Sequence, residues 1–417
     1  MSAILPPESS RRDLEVIGLV GLAHGTSHFF HLLLPPLFPW LMKDFGLSYT
    51  QAGFLMTVFF VISAIGQALA GFVVDKVGAR PVLFFGVATL SISGLVLAFA
   101  NSYSMLVMTA ALAGLGNSIF HPADFTLLNR RVSIPRLGHA FSVHGLSGNL
   151  GWAFAPVALA GIAALTDWHW AGVFATLLGC SVLALLWWRR DVLDDVAQEV
   201  VPENLTLTKT GKPQEAGSLG FLRVGAVWLC FAFFFFITMA FGILQSYGPA
   251  LMKEIYGLNL ALATSSLTAF LLGGAAGMLT GGFMAARQQH DNDKVVAKAL
   301  GLSVIMALLL ASAWIPAWSV LPVLAIMGFF TGIAGPHRDL LVRRAATSRF
   351  GKASFGRIYG FVYSGLDAGL AISPLIFGPW MDQGRFMTVL LGVALLQAAA
   401  ILTALGIGQS SSDPSPQ

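Results

Sequence analysis

The chain has 417 residues, of which 56% are hydrophobic and only 11% charged, with a formal net charge of +4. Mean hydropathy is +0.75 and the pI about 9.2. A water-soluble globular domain carries about 25% charged residues, so this composition excludes one.

Twelve apolar runs follow one another: 13–40, 51–74, 81–100, 104–128, 138–165, 169–189, 221–251, 259–286, 295–315, 319–342, 357–379 and 385–408. Each is long enough to cross a hydrocarbon core of about 30 Å as a helix. The expectation is an all-α integral membrane protein with the lipid bilayer as its solvent. The first run is too long for the apolar core of a signal peptide and lacks a small-residue cleavage site. Cys180 and Cys230 lie within apolar runs, which argues against a disulfide framework and against a thiolate metal site.

The first run carries "HGTSHFFH" (24–31). His24, His28 and His31 stand at i, i+4 and i+7, so one helical face presents all three imidazoles. Metal ligation, a proton relay, substrate contact and helix–helix hydrogen bonds all use such a face. No soft or acidic ligand stands near the histidines on this run, which speaks against metal, and the expectation is no bound metal. Pro35, Pro36 and Pro39 break the end of the run and free carbonyls that need water or partners.

Between runs 2 and 3 stands Gly71-x-x-x-Asp75-Lys76-x-Gly78-Ala79-Arg80. Gly71 and Gly78 suit close helix approach and a tight turn. Asp75 suits the N-terminus of a neighbouring helix, where the macrodipole favours negative charge. Run 4 carries "GNSIFHPAD" (116–124), with His121 beside the kink expected at Pro122 and Asp124 near the run's end; run 5 carries His144 and Asn149. His139 and His169, at run ends, read as structural.

Most of the 24 Lys and Arg fall in the loops on the side of the two termini. The positive-inside rule therefore places both termini in the cytoplasm. The exceptions are Lys43, Lys253 and Arg385 on the other side and Arg338 within a run. No soluble basic face exists for nucleic acid. The long polar segment within 191–220 is mixed in charge and reads as a cytoplasmic linker; its "TKTGKPQ" lacks the upstream glycine of a phosphate-binding loop, so ATP is not the expected energy source. Neither a catalytic triad nor a paired carboxylate stands out, so no enzyme and no cofactor is expected.

The linker divides the chain into residues 1–190, 191–220 and 221–417, and the flanking parts repeat. "GNLGWAFAP" (148–156) matches "LDAGLAISP" (366–374), placing Asn149 on Asp367 and Gly151 on Gly369; "NRRV" (129–132) matches "VRRA" (342–345). Twelve helices in two pseudo-symmetric six-helix bundles follow, with a site between the halves at mid-membrane. Asp367 lies about 15 Å along its helix at 1.5 Å per residue, among small residues. Desolvation at that depth penalises the charged carboxylate, as proton coupling requires. Arg338, in "GPHRD", suits an anionic substrate or a structural ion pair.

The 71–80 motif resembles the loop between spans 2 and 3 of the major facilitator superfamily. "GNSIFHPAD", "GLSGNLGWAFAP" (145–156) and "GRIYGFVYSGLDAGLAISPLIFGPWMD" (356–382) resemble its fosmidomycin-resistance-like branch. The resemblance implies a monomeric secondary transporter of the inner (cytoplasmic) membrane working by alternating access. Gly71, Asp75, Lys76, Gly78 and Arg80 would form a gating latch, with Asp75 against span 11 and Asp124 as partner of Lys76 or Arg80. His24, His28, His31, His121, Asn149 and Arg338 would line the substrate cavity, and Asp367, with His31 and His121 as alternatives, would carry protons. Proton-coupled efflux of a drug or metabolite is the implied direction. Uptake of a small organic or anionic solute, and a non-transporting receptor on the same fold, are the alternatives.

Overall fold

The computed structural model describes residues 7–194, 224–287, 292–350 and 355–410. Among these the chain is helical throughout, with no strand. The first half holds α1 (Pro7–His31), α2 (Phe38–Phe45), α3 (Tyr49–Val77), α4 (Ala79–Ala98), α5 (Tyr103–Asn117), α6 (Phe120–Arg131), α7 (Ile134–Leu165) and α8 (Trp168–Trp188). The second holds α9 (Gly225–Tyr256), α10 (Leu260–Arg287), α11 (Asn292–Ser312), α12 (Val320–Phe350), α13 (Phe355–Asp382) and α14 (Phe386–Ser410). Twelve spans are long and apolar enough to cross a bilayer, because α1 with α2, and α5 with α6, each make one interrupted span. The protein is a multi-pass integral membrane protein of two six-span bundles. The described termini lie at one end of the bundle; the turns at 46–48, 99–102, 166–167, 257–259, 313–319 and 383–385 form the far end.

A proline stands at or beside both interruptions. Pro35 has no N–H to give to the carbonyl of His31, four residues back, and Pro36 none for Leu32. The run over 13–40, whose end the prolines are expected to break, stops as a helix at His31, passes a 3₁₀ turn at Pro35–Leu37 and restarts at Phe38. The freed His31 carbonyl accepts Gln245 Nε2 from α9 at 3.4 Å. In the fourth span the expected kink is a break at Ser118–Ile119, just before Pro122. Pro122 thereby falls in the first turn of α6, where a missing N–H costs little.

The two bundles meet along α3 with α13 and α7 with α10. Hydrogen bonds joining them run from the far end to mid-span. Asp382 accepts from Tyr49 N–H at 2.6 Å and Thr50 N–H at 3.1 Å. Tyr247 Oη donates to the Tyr49 carbonyl at 3.2 Å, and Thr57 Oγ1 to the Ala371 carbonyl at 2.8 Å. Asn149 Nδ2 reaches Met278 Sδ at 3.5 Å near the middle.

Within each bundle several glycines let two backbones touch, and two of them stand at equivalent positions. A Cβ on Gly151 would lie 2.0 Å from the Gly25 carbonyl oxygen, and one on Gly369 2.4 Å from that of Phe235. These are the glycines that the internal repeat superposes. The α1–α7 contact is also what brings His144 of α7 against His24 of α1.

Candidate functional site

The three span 1 histidines do share a face, and side chains of α3, α5, α6 and α7 surround it. From the termini side of α1 outward, the rings of His144 and His24 stack at 3.5 Å between centroids, His24 and His28 lie at 4.4 Å, and His28 and His31 stack at 4.8 Å. Trp152 of α7 covers His28 at 4.3 Å and touches Phe241 of α9 at 5.3 Å, so the imidazole column lies one ring from the other bundle.

Polar side chains hold both ends of the column. At one end His31 Nε2 meets Asn117 Oδ1 at 2.7 Å. The same oxygen accepts Ser27 Oγ at 3.0 Å, and Asn117 Nδ2 donates to Ser63 Oγ at 2.8 Å. Asn117 is the last residue of α5, at the break that precedes Pro122, and its amide fills the gap between α1, α3 and α5. At the other end Asp124 of α6 has no exposed surface. Its Oδ2 lies 3.1 Å from His24 Nδ1 and 3.0 Å from His144 Nε2. His121 lies beside this group, with its Nδ1 3.0 Å from Gln67 Oε1 of α3.

One expectation about these residues is corrected. Asp124 does not pair with Lys76 or Arg80: it is engaged with the histidines, while Arg80 reaches Asp194 at 2.9 Å and Lys76 is exposed. The reason is azimuthal, since α6 turns Asp124 inward toward α1 and α7, away from the loop. No acid stands near the histidines on α1, and the acidic neighbour they have, Asp124, is supplied by α6. Sequence reasoning named His144 in passing and missed Asn117, Ser63 and Gln67; the residues flanking the helix break in "GNSIFHPAD" were the available signal.

In the loop motif, Gly78 has φ of +93° and serves as C-cap of α3 and N-cap of α4, a backbone that favours glycine. Gly71 does not mediate a close approach, because a Cβ there would meet nothing within 4 Å. The side chain of Asp75 lies outside the described residues, as do those of the repeat's "VRRA" segment.

Asp367 is half-buried on α13, one turn from Ala371, whose carbonyl binds α3. It therefore faces the seam between the bundles. No hydrogen bond or ion pair ties it to another described residue, whereas its repeat mate Asn149 is bonded to the Gly145 carbonyl at 3.0 Å and to Met278. Arg338 is compensated: its Nε lies 2.9 Å from Asp339 Oδ1, and its guanidinium stacks 4.6 Å above the Phe234 ring. That pairing removes the support for an anionic substrate at this arginine. Its neighbour His337, fully buried, meets Asn292 Oδ1 at 2.7 Å and was not anticipated.

Comparison with known proteins places this architecture. The Fosmidomycin resistance protein of Escherichia coli (strain K12) is 27% identical over 380 residues, covering 88% of this chain and 87% of that protein. The membrane sensor protein UhpC of Salmonella typhimurium is 23% identical over 373 residues, covering 86% and 84%. A bacterial homolog of the human lysosomal transporter Spinster, solved in an inward-facing and occupied conformation, superposes with a TM-score of 0.72 at 12% identity, over 96% of this chain and 98% of that one. A family model described as Major Facilitator Superfamily matches residues 20–374. The chain belongs to the Major Facilitator Superfamily.

Proposed function

We propose that this small-molecule transporter is a proton-coupled exporter, with Asp367 as the group that takes and releases the proton. The observation that carries the reading is the unpaired state of Asp367. A carboxylate in hydrocarbon costs several kcal/mol unless it serves a purpose, and an asparagine, as at the equivalent position 149, would meet a structural need without that cost. His31 and His121, the other candidate carriers, are both engaged, with Asn117 and Gln67. Alternating access follows from the family: bonds at the far end and mid-span favour a state open toward the termini, which positive-inside charge assigns to the cytoplasm of a bacterial inner membrane. The resemblance to a resistance protein supports export and makes fosmidomycin the first compound to test. A receptor role, prompted by the similarity to a sensor protein, gives Asp367 no task.

The test uses everted membrane vesicles that hold a respiration-driven pH gradient. Addition of fosmidomycin, then of a panel of drugs and organic acids, should release part of the gradient in wild-type vesicles and none in Asp367→Asn vesicles at matched protein level. Downhill substrate exchange should survive the substitution. Undiminished gradient release by the Asn variant would move coupling elsewhere.

A further inference from the structure

The group at the termini side of the imidazole column has a geometry that hydrogen bonding alone does not explain. His24 Nδ1 and His144 Nε2 both converge on the same oxygen of Asp124, at 3.1 and 3.0 Å. His24 Nδ1 nevertheless lies off any hydrogen-bonding direction, and Asp124 Oδ1, equally buried, has no partner. A network selected for hydrogen bonding would spread two donors over both carboxylate oxygens. Leaving one buried polar atom unpaired costs about 1–3 kcal/mol, and here two are left. All three residues are nearly inaccessible, at 2%, 0% and 5% exposure for His24, Asp124 and His144.

Those distances suit a shared ion. The three ligand atoms lie within 4.8 Å of one another. A tetrahedral zinc ion with bonds of about 2.0–2.2 Å separates adjacent ligand atoms by roughly 3.3 Å, and the two measured separations to Asp124 fall just inside that. The His24 and His144 rings stack at 3.5 Å with 23° between their planes, so binding requires one ring to rotate out of the stack until both lone pairs meet at the ion. The donor set is two imidazoles and a carboxylate. It is too nitrogen-rich for calcium or magnesium, which take oxygen ligands, and it lacks the thiolate or thioether of a copper(I) site. We propose that His24, Asp124 and His144 form a site for one divalent transition-metal ion of the zinc class, with a fourth position open to water. Asp124 cancels one of the ion's two charges, and its unpaired Oδ1 supplies either a second bond to the metal or a hydrogen bond to the water. The site draws on α1, α6 and α7 of one bundle, so an ion would fasten three helices that a few hydrogen bonds already link, His144 to Asp124 among them. It lies in the opposite bundle from Asp367 and does not rest on the export reading.

The experiment uses the full-length protein purified in detergent, stripped with a chelator and dialysed against zinc, with metal content measured per polypeptide. Wild type should retain close to one equivalent. Asp124→Asn and His144→Ala should weaken zinc binding at least ~100-fold, beyond the 10–100-fold typical of outer-shell changes, while His139→Ala, at an exposed position, should bind as wild type does. Cobalt in place of zinc should give the intense visible absorption of a tetrahedral site, displaced on adding zinc. Should the variants fail to fold, the wild-type cobalt spectrum decides alone. Sub-stoichiometric zinc, binding that persists in both variants, or the weak absorption of octahedral cobalt would each overturn the proposal.

Discussion

Asp382 makes the tightest polar link between the bundles and predicts a measurable shift in their opening. It closes α13 and accepts three hydrogen bonds from the first turn of α3: Tyr49 N–H at 2.6 Å, Thr50 N–H at 3.1 Å and Thr50 Oγ1 at 2.5 Å. The carboxylate thus caps the N-terminus of a helix in the other half, where the macrodipole favours a negative charge. A carboxylate at a helix N-terminus contributes about 0.3–1 kcal/mol when exposed and up to ~2 in favourable geometry. Asp382 is exposed, which argues for the lower part of that range, but three donors converge on it. A net of about 1.5 kcal/mol is a reasonable working figure. All of it is lost when the far end opens, because α3 and α13 then separate.

Asp382→Ala should therefore raise the ratio of far-end-open to far-end-closed molecules by about tenfold, since ~1.4 kcal/mol is a factor of ten. Thr50→Val, which removes only the hydroxyl bond, should raise it two- to threefold, for about 0.5 kcal/mol. Spin labels at Ser102 and Trp314, one on each bundle at the far end, would report the two populations in lipid nanodiscs once Cys180 and Cys230 are replaced. Distance distributions identical for wild type and Asp382→Ala would show that the closed far end is held by apolar packing of α3 on α13. The capping argument would then be wrong.

Two further outcomes test the packing around the imidazole column. Asn117→Leu leaves Ser27, Ser63 and His31 without their shared partner and should cost about 3 kcal/mol, read as a lower midpoint in denaturant titration of the detergent-solubilised protein; Asn117→Asp keeps the oxygen that Ser27 and His31 share but loses the Nδ2 donor to Ser63 and buries a carboxylate, and should cost no less. Gly151→Ala drives a methyl group into the Gly25 carbonyl and should cost about 1–3 kcal/mol by overpacking; Gly161→Ala, on the same helix with nothing within 4 Å of a Cβ, should be near neutral in the same titration.

Hydropathy made the spans legible because a bilayer leaves a chain little choice. Every backbone group must bond within its own helix, and an apolar run of the right length has one way to do so. The internal repeat was legible for a related reason: Gly151 and Gly369 sit where two backbones touch, and only glycine fits. What the sequence did not carry was rotation. Asp124 lies seven residues from the end of α6, which suggests a surface partner such as Arg80, yet a helix turns 100° per residue and a small change in azimuth redirects the carboxylate to His24 and His144. Asp382 was unreadable in the same way: at the end of a span an acid looks like a solvated loop residue until the opposing helix start is known.

The two halves share a plan and differ where it matters for movement. Pro249 and Pro336 lie inside α9 and α12, and both helices run on past them. The counterpart spans of the first half break. At Pro35 and Pro36 two adjacent donors are missing, so two carbonyls lose partners in one turn and the helix cannot bridge the gap by bending. A single proline removes one bond, which a kink absorbs. At the other break the cause is local chemistry: Asn117 spends its amide on Ser27, His31 and Ser63, and the chain restarts so that Pro122 needs no donor. Both interruptions thus fall on the helices that carry the imidazole column, and both leave polar groups there to be met by side chains. The first half has concentrated its polar atoms into one buried group, held at both ends by hydrogen bonds through Asn117 and Asp124 but with His24 Nδ1 and Asp124 Oδ1 still unpartnered. The second has kept a carboxylate at the seam with no partner among the described residues, on a continuous helix whose end also caps α3. On the proposed function, protonation of Asp367 would then bias the seam from the bundle opposite the column, without titrating a member of it.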